Sequence, residues 1–225
     1  MKPRPSNQTN QALTLVEVIV VIAVLVFLAA AFFPAYSPRK PVDCVNNLHQ
    51  IGIGFRVWAG DNNDKYPMEI SVTNGGTMEL AATGDVVATF QIMSNELSTP
   101  KVLLCPADTR RVWATNFSTD FNNSHISYFV GLDTVNSNAF LSGDGNFLFN
   151  RIPVRPGLAQ LSTNAFIAWS SGRHVSPNSH FWTAARDRFI GNILCDDGSV
   201  QQTTSSNLCQ LFQQTGLATN RLAIP

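Results

Sequence analysis

One apolar run dominates the pattern of the chain: LTLVEVIVVIAVLVFLAAAFF, residues 13–33, in which only Thr14 and Glu17 are polar. As a helix rising 1.5 Å per residue it extends about 31 Å, the thickness of one bilayer core. Pro34 and Pro38 follow, and proline removes a backbone donor, so the helix stops or kinks there. The run is too long for the apolar stretch of a secretory signal peptide, commonly about 7–15 residues. The sequence therefore predicts a membrane-spanning helix over 13–33.

A second helical pattern begins at Cys44, with Val45, Leu48, Ile51 and Phe55 on one face. Gly52 and Gly54 oppose it, each at a cost of up to about 1 kcal/mol in a helix interior. Trp58 to Pro67 reads as the helix end and an exit loop. Asp61 and Asp64 lie in that loop without EF-hand spacing, which favours a solvated turn over a calcium loop. Beyond it the chain reads as mainly β, with short β-branched and aromatic runs at 86–93, 126–132, 147–152 and 165–170. Asn192 to Gln201 carries Asp197-Gly198 at its centre and predicts a hairpin with a tight primed turn. Ser205-Ser206-Asn207 then caps a short helix from Leu208 to about Gln214, stopped by Gly216.

The expected architecture is thus α+β: a long N-terminal helix against a mainly antiparallel sheet, closed by a short C-terminal helix. Four segments follow: a polar leader at 1–12, the spanning helix at 13–33, a helical lead-in at 34–60 and a β-rich head at 61–225.

Charge and composition sharpen this picture. Charged residues make up only 13% of the 225 residues, against roughly 25% in soluble domains. Fifteen basic and fifteen acidic side chains cancel, so the basic field that nucleic-acid binding requires is missing. Nucleic acid is not expected as a main partner.

Glu17 is the anomaly, because an ionised carboxylate at the bilayer centre costs about 2.5–3.5 kcal/mol on insertion scales. Two readings stand on the residues alone: Glu17 sits at headgroup level, or it is paired. Its context is specific. Ala12-Leu13-Thr14-Leu15-Val16-Glu17, behind a short leader with Lys2 and Arg4 and ahead of the apolar run, resembles the processing site of type IV pilins and type II secretion pseudopilins. The resemblance implies cleavage between Ala12 and Leu13 by a prepilin peptidase, then methylation of the new amino terminus. Glu17 becomes the fifth mature residue and Pro34 the twenty-second, a helix-kinking place in that family. Ala12 and Leu13 stand where the family usually has Gly and Phe.

The family account pairs Glu17 with the Leu13 ammonium of a neighbouring subunit, a pairing that low dielectric strengthens. It implies further partners: other pilin-like subunits, an inner-membrane assembly platform and membrane lipid. It also implies a single-pass inner-membrane location, with the head in the periplasm or on a filament.

The head resembles planctomycete and verrucomicrobial pseudopilins in its Cys-x-x-Asn-Leu-x-Gln-Ile-Gly run from Cys44 and its Cys105-Pro106-Ala107-Asp108 element. Ser127-Tyr128 and Asp197-Gly198 extend the likeness along most of the chain. In those relatives a histidine, nine residues and Asp-Gly form a motif; here Asp187 takes the place of the histidine.

Four cysteines, at 44, 105, 195 and 209, allow three connectivities. Cys44–Cys105 and Cys195–Cys209 are the favoured pairs, tying the long helix to the sheet and the hairpin to the last helix. A zinc site is disfavoured, since no Cys-x-x-Cys pair occurs. Asp144, Asp196 and Asp197 are calcium candidates by likeness to major pseudopilins, while ordinary Asp/Gly turns account for the same residues; no cofactor is expected. His49, His125, His174 and His180 are scattered and no hydrolase or nucleotide motif is found, which points away from an enzyme. Trp58, Trp113, Trp169 and Trp182 either fill the core or line a glycan groove. The expected function is a structural pilin-like subunit; the alternative is a membrane-anchored glycan- or ligand-binding module that does not polymerise.

Overall fold

The computed structural model describes residues 14–32, 40–118, 120–134, 136, 138–170, 174–175 and 189–225. Contacts divide the chain into Met1–Pro38 and Arg39–Pro225. The first unit holds α1, Leu15–Phe32. Every side chain described from Thr14 to Leu28 is exposed. At 1.5 Å per residue its 18 residues extend about 27 Å, less than the predicted span over 13–33, both of whose end residues lie outside the described set. Among the described residues no helix is long and apolar enough to cross a membrane.

The second unit opens with α2, Lys40–Asp61. Its inner face is Cys44, Leu48, Ile51, Phe55, Trp58 and Ala59, a helical spacing that puts the predicted stripe in the core, with Val45 only half-buried. Gly52 is what lets the helix approach the sheet: a Cβ there would stand 2.9 Å from Leu194 Cδ1. The propensity lost at this glycine is offset by close packing that any larger residue would block.

From Pro67 to Leu103 the chain is helical, in contrast to the expected strand at 86–93. It holds α3 (Met78–Ala82), α4 (Val86–Ile92) and α5 (Ser94–Leu97), with 3-10 turns at Pro67–Glu69, Val72–Asn74 and Pro100–Leu103. Val86, Thr89, Phe90 and Met93 are buried, a 3–4 residue period that overrides the β preference of the valines. Asp85 caps α4 by accepting from Ala88 N at 3.1 Å.

The remainder is antiparallel β with one helix. Its elements are β1 (Tyr128–Gly131), β2 (Phe140–Asp144), β3 (Phe147–Phe149), β4 (Ile152–Pro153), β5 (Gly157–Ser162), β6 (Ile167–Trp169), β7 (His174–Val175), β8 (Phe189–Cys195), β9 (Val200–Thr204), α6 (Ser205–Gln214) and β10 (Thr219–Ile224). The main sheet runs β5-β10-β1-β2-β8-β7, with β9 also paired to β8, and a small sheet runs β4-β3-β6. The predicted 147–152 run splits at Asn150 and Arg151, both at positive φ, into the β3–β4 hairpin. The Asp-Gly hairpin is made by β8 and β9, with Leu194 opposite Val200. Only Gly198 in its loop has positive φ, and Cys195 N donates to Ser199 O. The turn is therefore a longer loop with a glycine bulge, not the two-residue primed turn expected from the sequence.

Alternation along the strands builds two cores. Tyr128, Val130, Leu141, Leu194 and Ala223 face α2 and the α3–α5 helices. Their neighbours Phe129, Phe140, Ile193, Cys195, Leu222 and Ile224 face α6 and the small sheet. A period of two thus sends each strand's apolar residues to both sides of one sheet, covered by helices on one face and by α6 with β3 and β6 on the other. The fold is α+β: a helix-rich N-terminal part, an antiparallel sheet and a short C-terminal helix.

Candidate functional site

Among the described residues of the first unit, the polar side chains are at the N-terminal turn of α1, Thr14 and Glu17. Thr14 N and Thr14 Oγ1 donate to Glu17 Oε2 at 2.8 and 2.7 Å. In return Thr14 Oγ1 accepts from Glu17 N at 3.4 Å. This is a capping box, in which the N-cap threonine and the glutamate three residues on satisfy each other's orphan donors. The Thr-x-x-Glu spacing is the signal of this cap in the sequence, and the cap is not among the features expected above. Only Oε2 and not Oε1 of Glu17 accepts a hydrogen bond among the described residues. Ala12, Leu13 and Pro34, the processing and kink residues, lie outside the described residues.

In the second unit the cysteines divide. Cys44, at the start of α2, is disulfide-bonded to Cys105, with Cα atoms 5.1 Å apart. Cys195 and Cys209 are not bridged, contrary to the second expected pair; both are thiols. The reason is local packing. Cys195 ends β8, where its Sγ accepts from Gln201 Nε2 at 3.7 Å. Cys209 lies on α6 and directs its Sγ to Ile167 O of β6 at 3.0 Å. Burial, with Asp197 beside it, pushes the Cys195 thiol up to about 11, so it stays protonated and unreactive at neutral pH.

Each calcium candidate has one carboxylate oxygen engaged in a hydrogen bond. Asp144 is fully buried, and its Oδ2 accepts from Asn192 N and Nδ2 at 2.8 and 2.9 Å. Asp196 Oδ1 accepts from the Tyr66 hydroxyl at 2.7 Å, and Asp197 Oδ1 from Ser199 N at 2.8 Å. Among the described residues no three His, Cys, Asp or Glu side chains gather where a metal ion would sit.

A polar cluster that the sequence offered only as a motif surrounds Asp108, which is 4% exposed. Its carboxylate pairs with Arg110 Nε at 3.2 Å and Arg111 Nε at 3.3 Å, and accepts from Ser127 Oγ at 3.2 Å. Arg111 Nη2 goes on to Pro225 O at 3.0 Å. The Cys-Pro-Ala-Asp turn is thereby tied to the chain entering β1 and to the residue after β10.

The described histidines, His49, His125 and His174, do not converge. His49 is exposed on α2, His125 Nδ1 bonds Val112 O at 3.0 Å and His174 lies in β7 opposite Ile190. His180, Asp187 and Trp182 lie outside the described residues. Trp58 and Trp169 are core residues, whereas Trp113 stands half-exposed. No family model, curated protein or solved structure matches this chain.

Proposed function

We propose that this protein is a pilin-like structural subunit, processed by a prepilin peptidase between Ala12 and Leu13 and assembled through its N-terminal helix into a pseudopilus or type IV pilus-like filament. The observation that carries the reading is the place of Glu17: a carboxylate in the first turn of a helix whose described apolar side chains are all exposed. Such a surface asks for lipid or for other apolar helices.

The capping box supports the same role. With Oε2 satisfied by Thr14, the carboxylate has its other oxygen left for a cation. A neighbouring subunit's Leu13 ammonium is the proposed partner, and in low dielectric that attraction is strong enough to set the register between helices. The Cys44–Cys105 bridge supports an oxidising compartment for the head, which agrees with a single-pass inner-membrane subunit whose second unit is periplasmic or displayed on a filament. An inner-membrane assembly platform and other pilin-like subunits are the partners this role requires.

The test is expression of the full chain beside an active prepilin peptidase. Mass spectrometry is expected to find a mature, methylated amino terminus at Leu13, and Glu17→Gln is expected to be processed yet to abolish filament formation. Persistence of the leader, or filaments from Glu17→Gln at the wild-type level, overturns the proposal.

A further inference from the structure

Two of the described tryptophans are 6% and 2% exposed, Trp58 and Trp169, but Trp113 is 52% exposed. An indole left in water forgoes the apolar burial that most of its kind obtain. It borders a depression of about 160 Å³, lined also by Asn116, Ser118, Asp120, Phe121 and His125.

The depression has a firm floor. Phe121 is 4% exposed, stacks on the His125 ring with centroids 6.0 Å apart and meets Phe117 edge-on at 5.2 Å. Val112 N donates to Ser124 O at 3.0 Å, and Phe121 N to Ser118 O at 2.9 Å. These bonds hold the wall that carries Trp113 against the wall that carries His125.

The polar groups around the rim have defined capacities. Val112 O can only accept, so the bond to His125 Nδ1 fixes the proton there and leaves Nε2 of the neutral ring as an acceptor. Asn116 Oδ1 accepts from Ser118 N at 3.0 Å, which leaves the two amide hydrogens as donors. The Asp120 carboxylate has no hydrogen bond among the described residues. Among the described residues no lysine or arginine lines the depression; the nearby Arg110 and Arg111 both pair with Asp108.

A flat aromatic face beside an amide donor, a carboxylate and an imidazole acceptor, with no cation among them, suits a ring that has an apolar face and hydroxyls at its edge. Anionic ligands meet Asp120 unopposed and are disfavoured. We infer that the Trp113 depression binds a neutral hexopyranose unit of a polysaccharide, with the sugar's C–H face on the indole and its hydroxyls on Asn116, Asp120 and His125. The inference does not rest on polymerisation, since a single subunit holds the whole site.

The test is calorimetric and fluorescence titration of the full chain in detergent micelles with cellotriose, triacetylchitotriose and trigalacturonate. At least one neutral trisaccharide is expected to saturate the site and alter the indole emission, and the anionic one is not. Trp113→Ala is expected to weaken binding about tenfold or more, as loss of about 1.4 kcal/mol implies, with its circular dichroism melt unchanged. Asp120→Asn keeps the platform and is expected to weaken binding as well, so the site stays testable should Trp113→Ala misfold. Failure of both neutral sugars to bind, wild-type affinity in both variants, or preference for trigalacturonate overturns the inference; so does occupation of the depression by a peptide partner in place of sugar.

Discussion

The Tyr66 hydroxyl donates a 2.7 Å hydrogen bond to Asp196 Oδ1 across 130 residues of chain, and so joins the loop after α2 to the β8–β9 turn. Arg56 Nη2 reaches Asp196 O beside it at 3.4 Å, and the Tyr66 ring meets Phe55 edge-on at 5.8 Å. One turn of the hairpin is thus held by two side chains from the α2 end of the fold. Tyr66→Phe removes only the hydroxyl, and is expected to cost about 1–2 kcal/mol because the acceptor is charged and partly buried. The urea midpoint at neutral pH measures it.

The same contact makes stability depend on alkaline pH. Burial, then the Asp196 hydrogen bond and charge, raise the Tyr66 phenol above its ordinary value of 10.0. The folded state therefore keeps a proton that the unfolded state releases, so this contribution is complete below pH 10 and declines as pH rises beyond it. Urea midpoints at about pH 8 and about pH 10.5 are expected to differ less in Tyr66→Phe than in the wild type.

The Cys44–Cys105 bridge spans a sequence separation of 61 and closes a loop that contains α2 from Cys44 onward and all of α3 to α5. Loop-closure entropy for that length corresponds to roughly 4 kcal/mol. Cys44→Ala with Cys105→Ala, or reductant, is expected to lower the urea midpoint accordingly. Reductant is expected to leave the double variant unmoved, since Cys195 and Cys209 are thiols already.

How far the sequence reveals this fold depends on whether the information is local. The α2 stripe of Leu48, Ile51 and Phe55 was legible because one face meets one core, and the Asp197-Gly198 hairpin because its turn residues lie between its own strands. Val86 to Met93 misled, since β-branched residues in a short run carry no more than a weak preference, while the helix there is set by contacts made far along the chain. β2 with β8, β5 with β10 and β1 with β10 pair across long stretches of chain, and no local signal marks these pairings. At the candidate site the Thr14–Glu17 cap went unread although its spacing is local, and the separate surroundings of Cys195 and Cys209 exist only once α6 packs on β6.

Asp108 offers a test of buried against exposed ion pairs. Its side chain is 1% exposed, that of Arg111 16% and that of Arg110 68%. Asp108→Asn keeps the shape and deletes the charge, leaving the Arg111 guanidinium half-compensated near the core, and is expected to cost about 3 kcal/mol. Arg110→Ala breaks a pair that water already screens, and is expected to cost under about 0.5 kcal/mol. Chemical denaturation of the two variants separates the cases; equal losses contradict the assignment.

Gly191, like Gly131 and Gly143, is a position where the sheet leaves no room for a side chain. A Cβ there would lie 2.6 Å from three atoms of the Trp169 indole, and that indole cannot withdraw. It stacks on Phe147 with centroids 4.9 Å apart, its Nε1 donates to Thr203 Oγ1 at 3.3 Å, and its backbone N donates to Ser205 Oγ at 3.0 Å. Gly191→Ala is therefore expected to destabilise by about 3 kcal/mol, the upper range for overpacking. Trp169→Phe costs stability on its own by leaving space beside Gly191, and that space is where the added methyl of Gly191→Ala would go. The double variant is expected to be more stable than the two separate losses together imply, with a coupling above about 0.5 kcal/mol in a denaturant-measured cycle. Simple additivity of the two substitutions contradicts direct contact between this glycine and the indole.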